Sequence, residues 1–163
     1  HRISHTGSGK FRKWLWKVHI AHHLPEEVYL LMHPVFHPIN MIFTQIIIQG
    51  SLILLGARAE SILIFNAIMG LQGLVSHFNV EIKAGWLNYI FIGTELHRYH
   101  HSAKVEEAQN YGSVIALWDI VFGTFYYKPN TTPEKLGIEN LNEYPNSTEL
   151  IKVLALPFKK DKK

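Results

Sequence analysis

Pro38-Ile-Asn-Met-Ile-Phe-Thr-Gln-Ile-Ile-Ile-Gln-Gly-Ser-Leu-Ile-Leu-Leu-Gly-Ala57 runs for twenty residues without an Asp, Glu, Lys or Arg. A second uncharged run of twenty, Ser61 to Val80, begins after only Arg58, Ala59 and Glu60. Twenty helical residues span roughly 30 Å, about the thickness of a bilayer's hydrocarbon core. A chain of 163 residues has little room to bury two such helices in water. The pair therefore predicts an all-α protein with a membrane-inserted helical hairpin over about 38–80. Two buried core helices are the alternative, and Asn40, Gln45, Gln49, Asn66 and Gln72 lend it some weight.

Charge orients the hairpin. Lys10, Arg12, Lys13 and Lys17 precede it, and the chain closes on Lys159-Lys-Asp-Lys-Lys163, whereas the turn carries Arg58. Basic flanks favour the cytoplasmic side, so both ends of the hairpin are expected there. The net charge is +3, but the basic residues build no recognition helix, so nucleic acid is not an expected partner. There is no cysteine. Disulfides, thiolate zinc sites and iron–sulfur clusters are thereby excluded.

Outside the hairpin, histidine dominates. Eight of eleven histidines lie in three clusters: His1-Arg-Ile-Ser-His5, His19-Ile-Ala-His22-His23 and His97-Arg-Tyr-His100-His101. On a helix, residues three and four apart share a face, so each H-x-x-H-H can aim three imidazoles at one spot. Neutral imidazole is a common ligand for transition metals. Eight ligands exceed the four of a tetrahedral zinc and suit two ions. His77 stands at the end of the second apolar run, where an ionisable group is costly and usually functional. His33 and His37 each precede a proline and read as structural.

Along the chain, glycines at 7 and 9 break any early helix, and Phe11 to His23 reads as a helix ended by Pro25. Trp14 and Trp16 among lysines suit a membrane interface. Ile82 to Arg98 leads into the third cluster. Gly112 to Phe122 reads as a short apolar helix ended by Gly123. From Lys128 the chain turns polar and reads as a surface tail, with a helical piece near 148–156. The expected organisation is a domain over 1–127 and a tail over 128–163.

Several stretches together resemble the fatty acid hydroxylase and sterol desaturase superfamily. They are H-R-x-x-H at His1–His5, W-x-x-H-x-x-H-H at Trp16–His23, H-x-N at His77–Asn79 and H-R-x-H-H-S at His97–Ser102. Asn110-Tyr111-Gly112 and the L-W-D-x-x-F-G-T of Leu117–Thr124 complete the set, in the family's order. The end of the chain looks most similar to bacterial-type sterol desaturase-like members. The resemblance implies membrane-bound di-iron oxygenases with four membrane helices under a cytosolic helical cap. Only the second helical pair is visible, so a further pair is expected before His1.

The resemblance also implies two iron ions, dioxygen as co-substrate, a lipid substrate such as a sterol or fatty acyl chain, and hydroxylation or desaturation of its C–H bond. Electrons would come from a separate reductase, ferredoxin or cytochrome. It assigns His1, His5, His19, His22, His23, His77, His97, His100 and His101 as metal ligands. Asn79 and Glu81 are candidates for ligands or hydrogen-bond partners, or are solvated. Asp119, Asn110 and Tyr111 can each orient an imidazole by accepting its second N–H, or serve packing and capping instead. A carotenoid hydroxylase, or a non-catalytic membrane protein holding zinc, is the alternative.

Overall fold

The computed structural model describes residues 1–6 and 8–159. The helix break expected at Gly7 and the basic run beyond Lys159 lie outside the described residues. Regular structure among the described residues is helical, and extended pairing is limited to two isolated bridges, Phe91 with Ile115 and Ser102 with Leu136.

Helix α1 spans Arg2–His5 and α2 spans Lys10–His19, running on as a 3₁₀ turn, Ile20–His22. Pro38 then opens α3 (Pro38–Leu54), because its fixed φ suits the first helical position. His37 caps that start: its Nδ1 accepts from the Ile39 N–H at 3.1 Å, and its Nε2–H donates to the Leu154 carbonyl at 3.1 Å. The residue read as structural is therefore structural, and its acceptor nitrogen faces a helix terminus.

After a turn at Gly56, which adopts a φ of +77°, α4 (Ala59–Ser76) begins. The Gln49 amide donates to Asn66 Oδ1 at 2.7 Å, joining α3 to α4. α4 is long and apolar enough to cross a membrane, and only 6% of it is buried. α3 is apolar and, at 17 residues, shorter. Buried core helices are thus not what these runs form: α3 buries no residue and α4 buries only Ser76.

Both helices stop short of their uncharged runs. α4 ends where the His77 N–H turns to the Leu74 carbonyl at 3.1 Å, tightening the last turn, and His77 Nδ1–H takes the Gly73 carbonyl at 2.7 Å. The remaining elements are 3₁₀ stretches at Leu30–Met32, Gly85–Tyr89 and Leu141–Glu143, with α5 (Thr94–His100), α6 (Leu117–Val121), α7 (Leu150–Leu154) and a closing turn at Leu156–Phe158.

Two departures from the sequence reading affect the site. The helix expected over Gly112–Phe122 shrinks to α6. Residues ahead of it are held extended, because Ile92 N–H donates to Val114 O at 2.8 Å and Ala116 N–H to Ile90 O at 2.9 Å. The segment expected as a surface tail returns to the interior. Ile138, Val153 and Leu156 pack with Ile20, Ala21 and Leu24 of the second histidine cluster, flanked by Trp16, Leu141 and Tyr144. Burial of this kind contributes roughly 0.8 kcal/mol per methylene and fixes the backbone carrying His19, His22 and His23.

Candidate metal centre

Nine histidines converge from four separate stretches and fall into two groups. His1, His5, His19, His23 and His100 form one; His22, His77, His97 and His101 form the other. Within each group one nitrogen per ring lies within 4.8 Å of all the others. Neither group contains a carboxylate among the described residues. The groups abut: His23 stacks on His101 with ring centroids 4.4 Å apart, and His97 on His100 at 5.3 Å.

The helical repeat alone suggests that each H-x-x-H-H aims all three rings at one spot. The structure divides them. His19 and His23 enter the first group while His22 crosses to the second; His97 and His101 enter the second while His100 crosses to the first. In α5, at about 100° per residue, His97 and His101 lie about 40° apart and His100 falls on their other flank. In the second cluster the α-helix ends at His19 and a 3₁₀ turn carries His22 away from its neighbours. The two facing boxes thus exchange their middle rings.

Hydrogen bonds fix the tautomers. A carbonyl oxygen can only accept, so the ring nitrogen facing it carries the proton. His1 Nδ1–H donates to Tyr111 O at 2.7 Å, His22 to Val35 O at 3.1 Å, His77 to Gly73 O at 2.7 Å and His100 to Gln109 O at 2.8 Å. His19 Nδ1–H donates to Asn40 Oδ1 at 3.2 Å. The neutral rings then present bare lone pairs at Nε2. Yet His1 and His19 bring these atoms to 3.1 Å, as do His22 and His77. Two lone pairs at that distance repel; a cation between them converts repulsion into coordination. His100 Nε2 makes the same point as a buried atom without a hydrogen-bond partner. The donor set fits a pair of metal ions.

Protonation cannot take the cation's place at neutral pH. Burial, followed by repulsion from neighbouring rings, holds His22, His23, His97 and His101 well below the ordinary histidine value. Burial chiefly pushes His19 and His100 down to about 3. On unfolding these two return to about 6.5 and bind protons the fold excludes. The stability these rings contribute is therefore fully present above pH 6.5 and is lost progressively as pH drops toward 3. The melting temperature, followed by circular dichroism, is expected to decline steeply from pH 6.5 to 4; a flat profile would contradict this.

The remaining candidates sit elsewhere. Asn79 and Glu81 are exposed, and Glu81 pairs with Lys83 at 3.6 Å. Asp119 is buried, but its carboxylate accepts from the Tyr111 and Gly112 amides at 2.8 Å and from Thr124 Oγ1 at 2.6 Å, not from an imidazole. It positions the loop whose Tyr111 carbonyl receives His1. Asn110, at φ +58°, ties that loop to Leu96 O and to both backbone groups of Tyr126. Its role is packing. His33 lies beside His77 at 5.7 Å between centroids. Sequence reasoning missed Asn40, read only as a polar residue in an apolar run, and Phe36, which stacks on His22 at 4.1 Å. The carbonyl acceptors at Val35, Gly73 and Gln109 had no signal, since every residue carries one; Tyr111, expected as a possible imidazole acceptor, is one through its backbone carbonyl.

Residues 1–124 match the fatty acid hydroxylase family, and the chain belongs to it. It is an oxidoreductase family, and its lipid-modifying members stand among this chain's relatives. Ornithine lipid hydroxylase OlsE of Rhizobium tropici is 34% identical over 139 residues, covering 85% of this chain and 40% of that protein. The very-long-chain aldehyde decarbonylase GL1-11 of Oryza sativa subsp. indica is 26% identical over 127 residues, 76% of this chain and 46% of its own length. Fatty acid hydroxylase vlmA of Lecanicillium sp. is 34% identical over 73 residues, 42% of this chain and 20% of that protein. The chain spans less than half the length of these relatives. No solved structure matches it.

Proposed function

We infer that this chain carries the catalytic centre of a membrane-bound lipid hydroxylase, with two iron ions held by the nine convergent histidines. The observation that carries the reading is the meeting of bare Nε2 lone pairs in two abutting groups, with their Nδ1–H atoms pinned outward. Five nitrogens in the first group exceed what a tetrahedral zinc takes, and imidazole ligation suits iron. The family and its lipid hydroxylases supply the reaction class. Iron so held would supply the oxygen activation that no side chain can.

The chain's own residues keep the rings neutral and oriented, and bury those of the second group. Asn40, Val35, Gly73, Gln109 and Tyr111 each hold an Nδ1–H, and Phe36 covers His22. In this reading α3 and α4 form a hairpin in the bilayer, with the histidines on the cytoplasmic side. Residues 1–127 make the catalytic domain, and the described part of the segment after Lys128 closes it from behind. A separate protein delivers the electrons, and dioxygen is the co-substrate. Metal analysis of protein purified from membranes is expected to give two irons per chain, with lipid-dependent oxygen consumption. Stoichiometric zinc, an intact fold and no turnover would sink the reading.

A further inference from the structure

Two short stretches outside the hairpin invert the usual order of inside and outside. Residues 85–91 read Gly-Trp-Leu-Asn-Tyr-Ile-Phe, and residues 115–122 read Ile-Ala-Leu-Trp-Asp-Ile-Val-Phe. Their polar side chains Asn88 and Asp119 are buried, whereas Trp86 is 70%, Val121 60% and Trp118 56% exposed. Neither polar group is turned to water. Asn88 Nδ2–H donates to Glu95 Oε2 at 2.6 Å, and Asp119 accepts from the backbone of its own loop. Backbone groups pair internally as well. Ile92 N–H donates to Val114 O at 2.8 Å and Ala116 N–H to Ile90 O at 2.9 Å, joining the stretches, with Phe91 bridged to Ile115. Together they present an apolar surface without a charge.

That surface is moored to the end of α4. Gln72 Nε2–H donates to Ile92 O at 2.6 Å, and Thr94 Oγ1–H to Val75 O at 2.6 Å. Gln72 and Val75 lie in the last two turns of a helix whose Ile64, Ile68 and Leu71 are exposed. The two apolar surfaces therefore adjoin at the end of α4 nearest His77. Exposed apolar surface of this extent marks a place of contact. A specific protein partner is matched by about one hydrogen bond per 100–200 Å² of interface, and Asn88 and Asp119 face the wrong way to supply any. A bilayer asks only that backbone groups be paired and that tryptophan sit at headgroup level. We propose that residues 85–91 and 115–122 lie in the plane of the bilayer interface and hold the histidine groups against the lipid surface. The proposal rests on the hairpin reading above and adds a contact with lipid from stretches too short to span it. In the L-W-D stretch the aspartate serves the interior, while Leu117 and Trp118 serve the membrane.

The chain has no cysteine, so one introduced cysteine takes one nitroxide label. Trp86→Cys and Val121→Cys test the surface in the full chain reconstituted into phosphatidylcholine vesicles. Ile64→Cys, exposed on α4, is the lipid reference, and Val105→Cys, exposed between Lys104 and Glu106, is the aqueous one. All four positions are exposed, so the circular dichroism of each variant should match that of the unsubstituted protein. Power saturation of the EPR signal compares accessibility to oxygen, which concentrates in lipid, with accessibility to a water-soluble nickel chelate. Labels at 86 and 121 are expected to give an oxygen-to-nickel ratio several-fold above that at 105 and below that at 64, the shallow depth of the interface. At either position, a ratio equal to that at 105, or shielding from both reagents by a protein partner, would overturn the proposal. A lipid-like label at 64 in the same experiment keeps the hairpin. A label at 64 that follows the one at 105 refutes the hairpin reading, and lipid-like labels at 86 and 121 would then still support docking of this surface.

Discussion

Replacing His97 with alanine is expected to abolish lipid-dependent oxygen consumption and to strip metal from the second histidine group. His97 stands at that group's centre, its Nε2 3.0 Å from His77 Nε2 and 3.1 Å from His101 Nε2. Removing it leaves three ligands of four. Loss of a mere supporting partner of a metal ligand lowers affinity or activity about 10- to 100-fold, so loss of the ligand itself should exceed about 100-fold. Metal content and oxygen uptake measured together check it. His37→Ala is the matching control. It removes a helix cap worth about 1 kcal/mol and should leave metal and turnover in place. Equal activity in both variants would refute the assignment of the site.

Asp119→Ala is expected to be the most damaging change outside the histidines. The residue is 2% exposed, and its carboxylate satisfies three donors. Orphaning buried donors costs about 1–3 kcal/mol each, so the loss should reach about 3 kcal/mol or more. The damage reaches the centre, because the freed loop carries the Tyr111 carbonyl that fixes His1. Chemical denaturation should show the lost stability, and metal titration should show weaker binding in the first group. Asp119→Asn keeps an acceptor but turns an amide N–H toward a donor, and should fall between. Wild-type stability in Asp119→Ala would contradict this account. The sequence offered Asp119 either as a direct partner of an imidazole or as a packing and capping residue. The second role holds: it acts one step further away, through the amides of Tyr111 and Gly112.

How much was legible follows from what is local. Apolar runs that exceed any core available to a small chain announced α3 and α4, and their outward-facing residues follow from that surplus. Their ends were misjudged because Ser76 and His77 spend their hydrogen bonds on the preceding turn. The polar segment after Lys128 hid its contribution, since Ile138, Val153 and Leu156 are too scattered to show a period. The helix expected at Gly112 gave way to long-range pairing with Ile90 and Ile92, which local propensity cannot register.

Residue identity and spacing by themselves placed eight histidines in three clusters, marked His77 at the end of an apolar run and excluded thiolate chemistry. Those properties reside in the residue types and in the helical repeat, whereas the place beside lipid hydroxylases and the role of His77 as a ninth ligand came with the family resemblance. Only the tertiary structure decided which ring joins which group, because a helix can place three imidazoles on one flank but cannot choose what faces them. Facing boxes exchanged His22 and His100, and remote carbonyls at Val35, Gly73, Gln109 and Tyr111 turned the lone pairs inward. Coordination is a property of points in space, and those points were set by chain segments up to 110 residues apart.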